Sequence, residues 1–234
     1  IAIARNHTAT HLLHESLRQL LGEHVQQKGS LVCADYLRFD FSHFSKLSKY
    51  EINQIESEVN AKVLQNTTLT EHNNKPLSEA KKEGAMMLFG EKYADVVRMI
   101  QFGSSKELCG GTHVDATGEI GLFKITSESS IASGIRRIEA ITGTKALAHF
   151  NNQDDIVEEI SRLLKTKDVV QSVSDLISSN KKQEKELQKL KLTQLDAFAE
   201  ELFAKSVKVN KVNVITEKVD LDATSMKNIA FKLK

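Results

Sequence analysis

The chain has 234 residues, 40% of them hydrophobic and 27% charged, with a formal net charge of +1. That suffices for one substantial core plus an appendage, and so even a balance does not advertise a nucleic-acid coat, although a local basic path remains open. Two cysteines, Cys33 and Cys109, are too few for a disulfide scaffold and fit a reducing, cytoplasmic setting; no apolar stretch is long enough to cross a membrane, and the N-terminus is no signal peptide.

Residues 7–25 read as an amphipathic helix, with Leu13, Leu17, Leu20 and Leu21 as its apolar stripe and Gly22 unsettling its last turn. Residues 31–44 read as a strand, because Leu37, Phe39 and Phe41 alternate with Arg38, Asp40 and Ser42. Ser48-Lys49-Tyr50-Glu51 is a capping box, and Ile52, Ile55, Val59 and Val63 continue one helical face behind it. Pro76 and Ser78 precede a shorter helix ending near Gly90. Residues 96–102, 121–127 and 135–141 carry the β-branched and aromatic residues of strands, with turns at Gly118 and Gly121.

After Gly143 the pattern changes. Asn151-Asn152-Gln153-Asp154 interrupts it, and apolar residues then recur every three or four positions from Ile156 to Leu202, as in a long helix or a helical hairpin bent where residues 180–186 weaken the seam. Val207, Val209, Val212, Val214 and Ile215 suggest a strand pair broken at Asn210-Lys211, and residues 222–232 a final helix. The fold class is therefore α+β: helices packed on an antiparallel sheet over residues 1–150, a helical linker or hairpin over 151–206, and the start of an α/β domain over 207–234. The abrupt opening at Ile1 and the uncapped end at Lys234 read as the edges of a piece of something larger.

The residues with the most chemistry are His7 and His11, one helical turn apart, and Cys109 and His113, joined through Gly110-Gly111-Thr112. Three imidazoles and a thiolate make a plausible zinc set, against the bland alternative of two unrelated, partly buried pairs. Thr8 stands where a metalloprotease carries its glutamate base, and the zinc-deaminase signature is missing. Four protein ligands would close a structural site, whereas one that stays away would leave a position for water or substrate. His14 is a half-buried helix residue before it is a fifth ligand, and His24 and His43 have weaker claims. Cys33 reads as a small sheet-packed side chain, Gln27 as a surface glutamine and Asp40 as structural. On a strand Arg136 and Arg137 face opposite ways, so one can meet phosphate while the other pairs with Glu128 or Glu139. Lys181, Lys182 and Lys185 are as readily a solvated face as a phosphate contact.

The chain resembles the editing domain of bacterial alanyl-tRNA synthetases. The likeness is carried by the segments His7-Thr8-Ala9-Thr10-His11-Leu12-Leu13-His14, Val25-Gln26-Gln27-Lys28-Gly29-Ser30, Leu37-Arg38-Phe39-Asp40-Phe41 and Gly84-Ala85-Met86-Met87-Leu88-Phe89-Gly90-Glu91-Lys92-Tyr93. Leu108-Cys109-Gly110-Gly111-Thr112-His113 and Gly134-Ile135-Arg136-Arg137-Ile138-Glu139-Ala140 complete it. It is strong over residues 1–150, and the remainder resembles the family's linker and the start of its C-terminal domain. Threonyl-tRNA synthetases have a related domain, but the segment 109–113 fits the alanyl type better.

The resemblance implies hydrolysis of serine or glycine wrongly esterified to tRNA(Ala), with the correct alanyl ester spared. It implies Zn2+ on His7, His11, Cys109 and His113. It places Gln27 in the amino-acid pocket and Arg136 and Arg137 in a stretch near that pocket, as tRNA-binding candidates; Gly110, Gly111 and Thr112, able to turn backbone N–H groups or a hydroxyl to a reacting ester, are further substrate-positioning candidates. The aminoacylated 3′ end of tRNA(Ala) is then the partner, and a homodimer through the helical and C-terminal regions belongs to the whole protein. The ATP-using aminoacylation portion lies outside these residues. The alternative is a zinc-stabilised tRNA-binding module without its own chemistry. A contact to the serine hydroxyl discriminates against an analogue lacking it by roughly 10⁴–10⁵, but the same contact does not account for glycine.

Overall fold

In the computed structural model, which describes residues 1–87 and 92–233, helix α1 (Ala2–Leu21) is embedded along most of its length. Leu12, Leu13 and Leu17 are buried, and so are Thr8, Thr10, His11, His14 and Ser16, because other elements cover the helix on several sides. It begins before His7 and stops at Leu21, where Gly22 takes φ 115°, a conformation that ends a helix at little cost to glycine. The expected strand at 31–44 is two strands, β1 (Gln27–Val32) and β2 (Leu37–Ser42). They are joined by a turn in which Cys33 donates its N–H and its thiol to Tyr36 O. Helix α2 (Lys49–Leu64) carries both halves of the capping box: Glu51 N donates to Ser48 Oγ and Ser48 N to Glu51 Oε2.

Strand β3 (Thr70–Pro76), unforeseen in the sequence, leads into the short helix α3 (Leu77–Lys82), with Pro76 as its N-cap. The helix stops at Lys82, well short of the expected end near Gly90: the chain turns at Glu83 and at Gly84, which takes φ 77°, and Met86 then bridges Glu107, while residues 88–91 lie outside the described residues. Strands β4 (Val96–Phe102) and β5 (Ser105–Leu108) follow, then a 3-10 turn at Thr117–Ile120, β6 (Phe123–Ala132) and β7 (Ile135–Thr142).

Two antiparallel sheets result, ordered β1-β2-β7-β6 and β3-β4-β5. The register of the first pairs Leu37 with Ala140 and Phe39 with Ile138, so one face is apolar; with Leu12, Leu13, Leu17, Ile55, Val59 and Phe123 it makes the main core. A smaller core forms where Leu108 meets Ala80, Val97 and Met99. On β5 the alternation turns Leu108 to that core and Glu107 the other way, to α1.

The chain divides into two compact units, Ile1–Asp155 and Ile156–Lys234. Helix α4 (Gly143–Leu164) runs across that division, so Asn151-Asn152-Gln153-Asp154 sits inside a helix and marks exposure rather than a break. Helix α5 (Val169–Ala204) continues through residues 180–186. The helical tract breaks at 165–168 instead, with Lys165 at φ 53° and Asp168 capping α5 by accepting from Gln171 N. Strands β8 (Val207–Val209) and β9 (Val212–Val214) form the expected hairpin, turned at Asn210 and Lys211, both at positive φ. Helix α6 (Ala223–Lys232), capped by Asp222, buries Ile229 against Ala199 and Leu202 of α5. Among the described residues no helix is long and apolar enough to cross a membrane.

Candidate metal centre

Helix α1 presents His7 and His11 on one face, and the segment leaving β5 brings Cys109 and His113 against them. One ligand atom from each of the four lies within 4.8 Å of the other three. The Cys109 sulfur is 3.4 Å from Nε2 of both His7 and His113, and the imidazole centroids stand 4.3–5.2 Å apart.

Each of the three imidazoles is held through Nδ1. His7 Nδ1 donates to Thr112 O at 3.2 Å, and His113 Nδ1 to Thr8 Oγ1 at 3.2 Å. His11 Nδ1 lies 3.2 Å from Glu107 Oε2. A proton on Nδ1 leaves Nε2 with its lone pair, and three such lone pairs meet one sulfur. Thr8, the residue that rules out a metalloprotease helix, orients His113 instead; its hydroxyl also accepts from Val114 N–H at 3.2 Å.

Electrostatics keep these rings neutral. Burial, with His11 alongside, lowers His7 to about 4, and burial with His11 and His7 nearby lowers His113 to about 2. Burial lowers His11 as well, against the pull of Glu107. Burial alone pushes Glu107 up, but His11 and His14 beside it prevail and hold the carboxylate below its ordinary range. Neutral imidazoles and an ionised carboxylate behind them are what a cation requires of its surroundings. The donor set fits a metal ion, and its mixed nitrogen and sulfur chemistry suits a borderline one.

The 109–113 segment owes its shape to residues that sequence reasoning passed over. Arg98 on β4 donates Nη1 to Cys109 O (2.9 Å) and to Gly111 O (2.7 Å), while Glu71 on β3 holds the guanidinium through Nε and Nη2. Gly111 lies so close to His7 that a Cβ there would be 2.1 Å from Cε1. Its N–H points to the Cys109 sulfur at 3.4 Å. Glu107 Oε1 also accepts from His14 Nδ1 at 3.0 Å, so His14 belongs to the support of the donors and is buried rather than half-buried. The available signal for these residues was the composition of Glu107-Leu108-Cys109, an acid two positions from a ligand.

A cavity of about 90 Å³ adjoins the donors, bordered by His7, His11, His14, Gln27, Ser30, Met86 and Cys109. Gln27, read from spacing as a surface residue, therefore borders the same space, with Nε2 donating to Ser30 Oγ at 3.0 Å. Gly110 and Thr112 lie in the ligand-bearing segment, the latter occupied through its carbonyl by His7. Arg136 and Arg137 are both engaged in ion pairs. Arg136 meets Glu128 at 2.5 Å, on the core face of the sheet, and Arg137 grips Asp40 by two bonds of 2.7 and 2.8 Å on the other face. His24 and His43 stand apart from the donors and hydrogen-bond to each other at 2.9 Å.

Residues 97–139 match the family described as the threonyl and alanyl tRNA synthetase second additional domain. Across 97% of its length the chain is 49% identical to an alanine–tRNA ligase of Flavobacterium psychrophilum, covering 26% of that protein. It is 48% identical across 98% of its length to one of Christiangramia forsetii, and 48% across all of it to one of Bacteroides fragilis. It covers 26% and 27% of those two, so the chain spans about a quarter of the length of the curated relatives it matches.

Proposed function

Since the chain corresponds, over nearly its whole length, to one segment of the alanine–tRNA ligases, we propose that it is their editing region, which hydrolyses seryl or glycyl esters of tRNA(Ala). The observation that carries this reading is the meeting of His7, His11, Cys109 and His113 beside a small cavity that Gln27 also borders. We assign Zn2+ to the four donors on the strength of their three nitrogens and one sulfur. Bound there, it would supply a Lewis acid beside the cavity.

The chain's own residues then do the positioning. The reaction adds water to the ester carbonyl carbon, breaks the bond to the ribose oxygen, and returns a proton to that oxygen as the amino acid departs. Gln27 and Ser30 offer an amide and a hydroxyl to a small polar side chain, which supports serine recognition. Gly110 and Thr112 place backbone groups at the edge of the site, whereas Gly111 serves the donors through its N–H. Both arginines are ion-paired, but Arg137, on the opposite sheet face from the core and 27% exposed against 11% for Arg136, is the better of the two for a tRNA phosphate.

A second reading rests on the same four donors. A set of four protein ligands closes a tetrahedron, which favours a structural ion in a tRNA-binding module. Hydrolysis of seryl-tRNA(Ala), with alanyl-tRNA(Ala) as the protected control, separates the two. Release of serine with alanine retained supports editing, and tight tRNA binding without release supports the module. A cytoplasmic location and association of two copies through the exposed Leu187 and Leu190 of α5 extend the proposal to the whole protein.

A further inference from the structure

His14 has two ring nitrogens, and the fold engages one. Nδ1 donates to Glu107 Oε1 at 3.0 Å. Nε2, on the far side of Cε1, is buried and meets no protein partner among the described residues. The residue as a whole is only 4% exposed. A buried polar atom left without a hydrogen bond is destabilising, so a native fold keeps one where a water or a ligand completes it. Ser16 Oγ, Arg38 Nε and Glu128 Oε2 are in the same condition, but of these residues only His14 borders the small cavity beside the metal donors. Other polar side chains around that cavity are already engaged: Thr10 Oγ1 donates to Asn6 O, and Gln27 Nε2 to Ser30 Oγ. The cavity, of about 90 Å³, has room for a water or a small side chain.

We infer that His14 is a specificity residue of this cavity: its Nε2 takes an exchangeable partner, water or a substrate hydroxyl, and thereby favours seryl and glycyl esters over alanyl. This rests on the editing reading and supplies what a hydroxyl contact alone leaves out, the acceptance of glycine. With a glycyl ester no side chain enters, and a water stays on Nε2. With a seryl ester the hydroxyl displaces that water and replaces its bond. A hydroxyl both donates and accepts, so the replacement holds whether Nε2 carries a proton or a lone pair. With an alanyl ester the methyl displaces the water and offers nothing in return, which leaves the nitrogen buried and unpaired. Size cannot sort these three, because alanine lies between glycine and serine. Displacement of a water can, because alanine alone brings an apolar group.

Two substitutions separate the edges of the ring. In His14→Asn the side-chain amide reaches the position of Nδ1 and can still donate to Glu107, but nothing stands at the position of Nε2. In His14→Gln the amide reaches the position of Nε2, and the bond to Glu107 is given up. Hydrolysis of seryl-, glycyl- and alanyl-tRNA(Ala) by the full chain is read as ratios of kcat/KM, which a general loss of folding or of metal does not move. His14→Asn should lower both the seryl-to-alanyl and the glycyl-to-alanyl ratio by about tenfold or more, with zinc affinity as in the parent. His14→Gln should keep most of both ratios and bind zinc more weakly. Unaltered ratios in His14→Asn, whatever becomes of the rates, overturn the assignment and leave editing in place. Calorimetry with the non-hydrolysable 3′-seryl-, 3′-glycyl- and 3′-alanyl-amino-3′-deoxyadenosines repeats the comparison without chemistry. A preference against the alanyl analogue that disappears in His14→Asn, with no ester cleaved by the parent, supports the contact and defeats the editing reaction. Neither preference nor cleavage in the parent overturns both.

Discussion

A Cβ on Gly111 would lie 2.1 Å from Cε1 of His7, so the glycine and the imidazole share space that no larger residue can enter. Gly111→Ala must therefore push His7 off its position or open the loop. We expect metal affinity to fall at least tenfold, with Gly110→Ala nearly silent because nothing stands within 4 Å of its Cβ. Zinc titration against a competing chelator reads both; equal behaviour of the two variants would refute the steric argument.

Glu107 joins two imidazoles, at 3.2 Å to His11 and 3.0 Å to His14. Glu107→Gln keeps the size and removes the charge that holds both Nδ1 protons. Metal affinity should drop by about 10–100-fold, measured by the same titration.

Arg98 ties the carbonyls of Cys109 and Gly111 to β3 through Glu71. Arg98→Ala should cost about 1–3 kcal/mol in metal-free denaturant unfolding, and Arg98→Lys should recover little, since a single ammonium cannot reproduce the fork.

The depressed imidazoles make the metal-free protein sensitive to acid. Below the ordinary value of 6.5 the unfolded chain takes up protons that folded His7 (about 4) and His113 (about 2) refuse. Stability is therefore full above about pH 7 and falls as pH drops through 6.5 toward 4. Melting temperature between pH 8 and 4.5 checks this, and His7→Gln should flatten the slope. A curve that is level across this range would remove the claim.

The two adjacent arginines should part company. Arg136 and Glu128 have side chains only 11% and 2% exposed, so Arg136→Ala strands a buried carboxylate and should cost about 3 kcal/mol or more. Arg137→Ala should instead weaken tRNA binding evenly across sequences and reduce its salt dependence. Urea unfolding and a salt series of tRNA titrations distinguish these outcomes.

What could be read in the sequence followed from periodicity and donor type. Leu37, Phe39 and Phe41 announced β2 because its two faces see different solvents, and Ser48 with Glu51 announced the start of α2. The four donors were legible as a set, since their residue types are scarce and complementary. Arg98 and Glu107 were not, because a lone charge on a strand looks the same whether it faces water or a buried imidazole. Strand β3 is polar and lies at a sheet edge, so Thr70-Glu71-His72-Asn73-Asn74 has no apolar alternation to show. The misplaced helical break has a related cause: α5 is exposed along nearly all its length, so the missing apolar positions at 180–186 cost it nothing.

Cys109 meets His7 across 102 positions of chain. During synthesis α1 therefore leaves the ribosome with half of its binding set and waits until β5 and the loop behind it have also emerged. An ion captured early would have two imidazoles and solvent for company, and would be easily lost. Secure capture comes only once the segment behind β5 has reached α1, so a resident ion certifies that these two distant stretches have met, while β6 and β7 of the larger sheet are still to come.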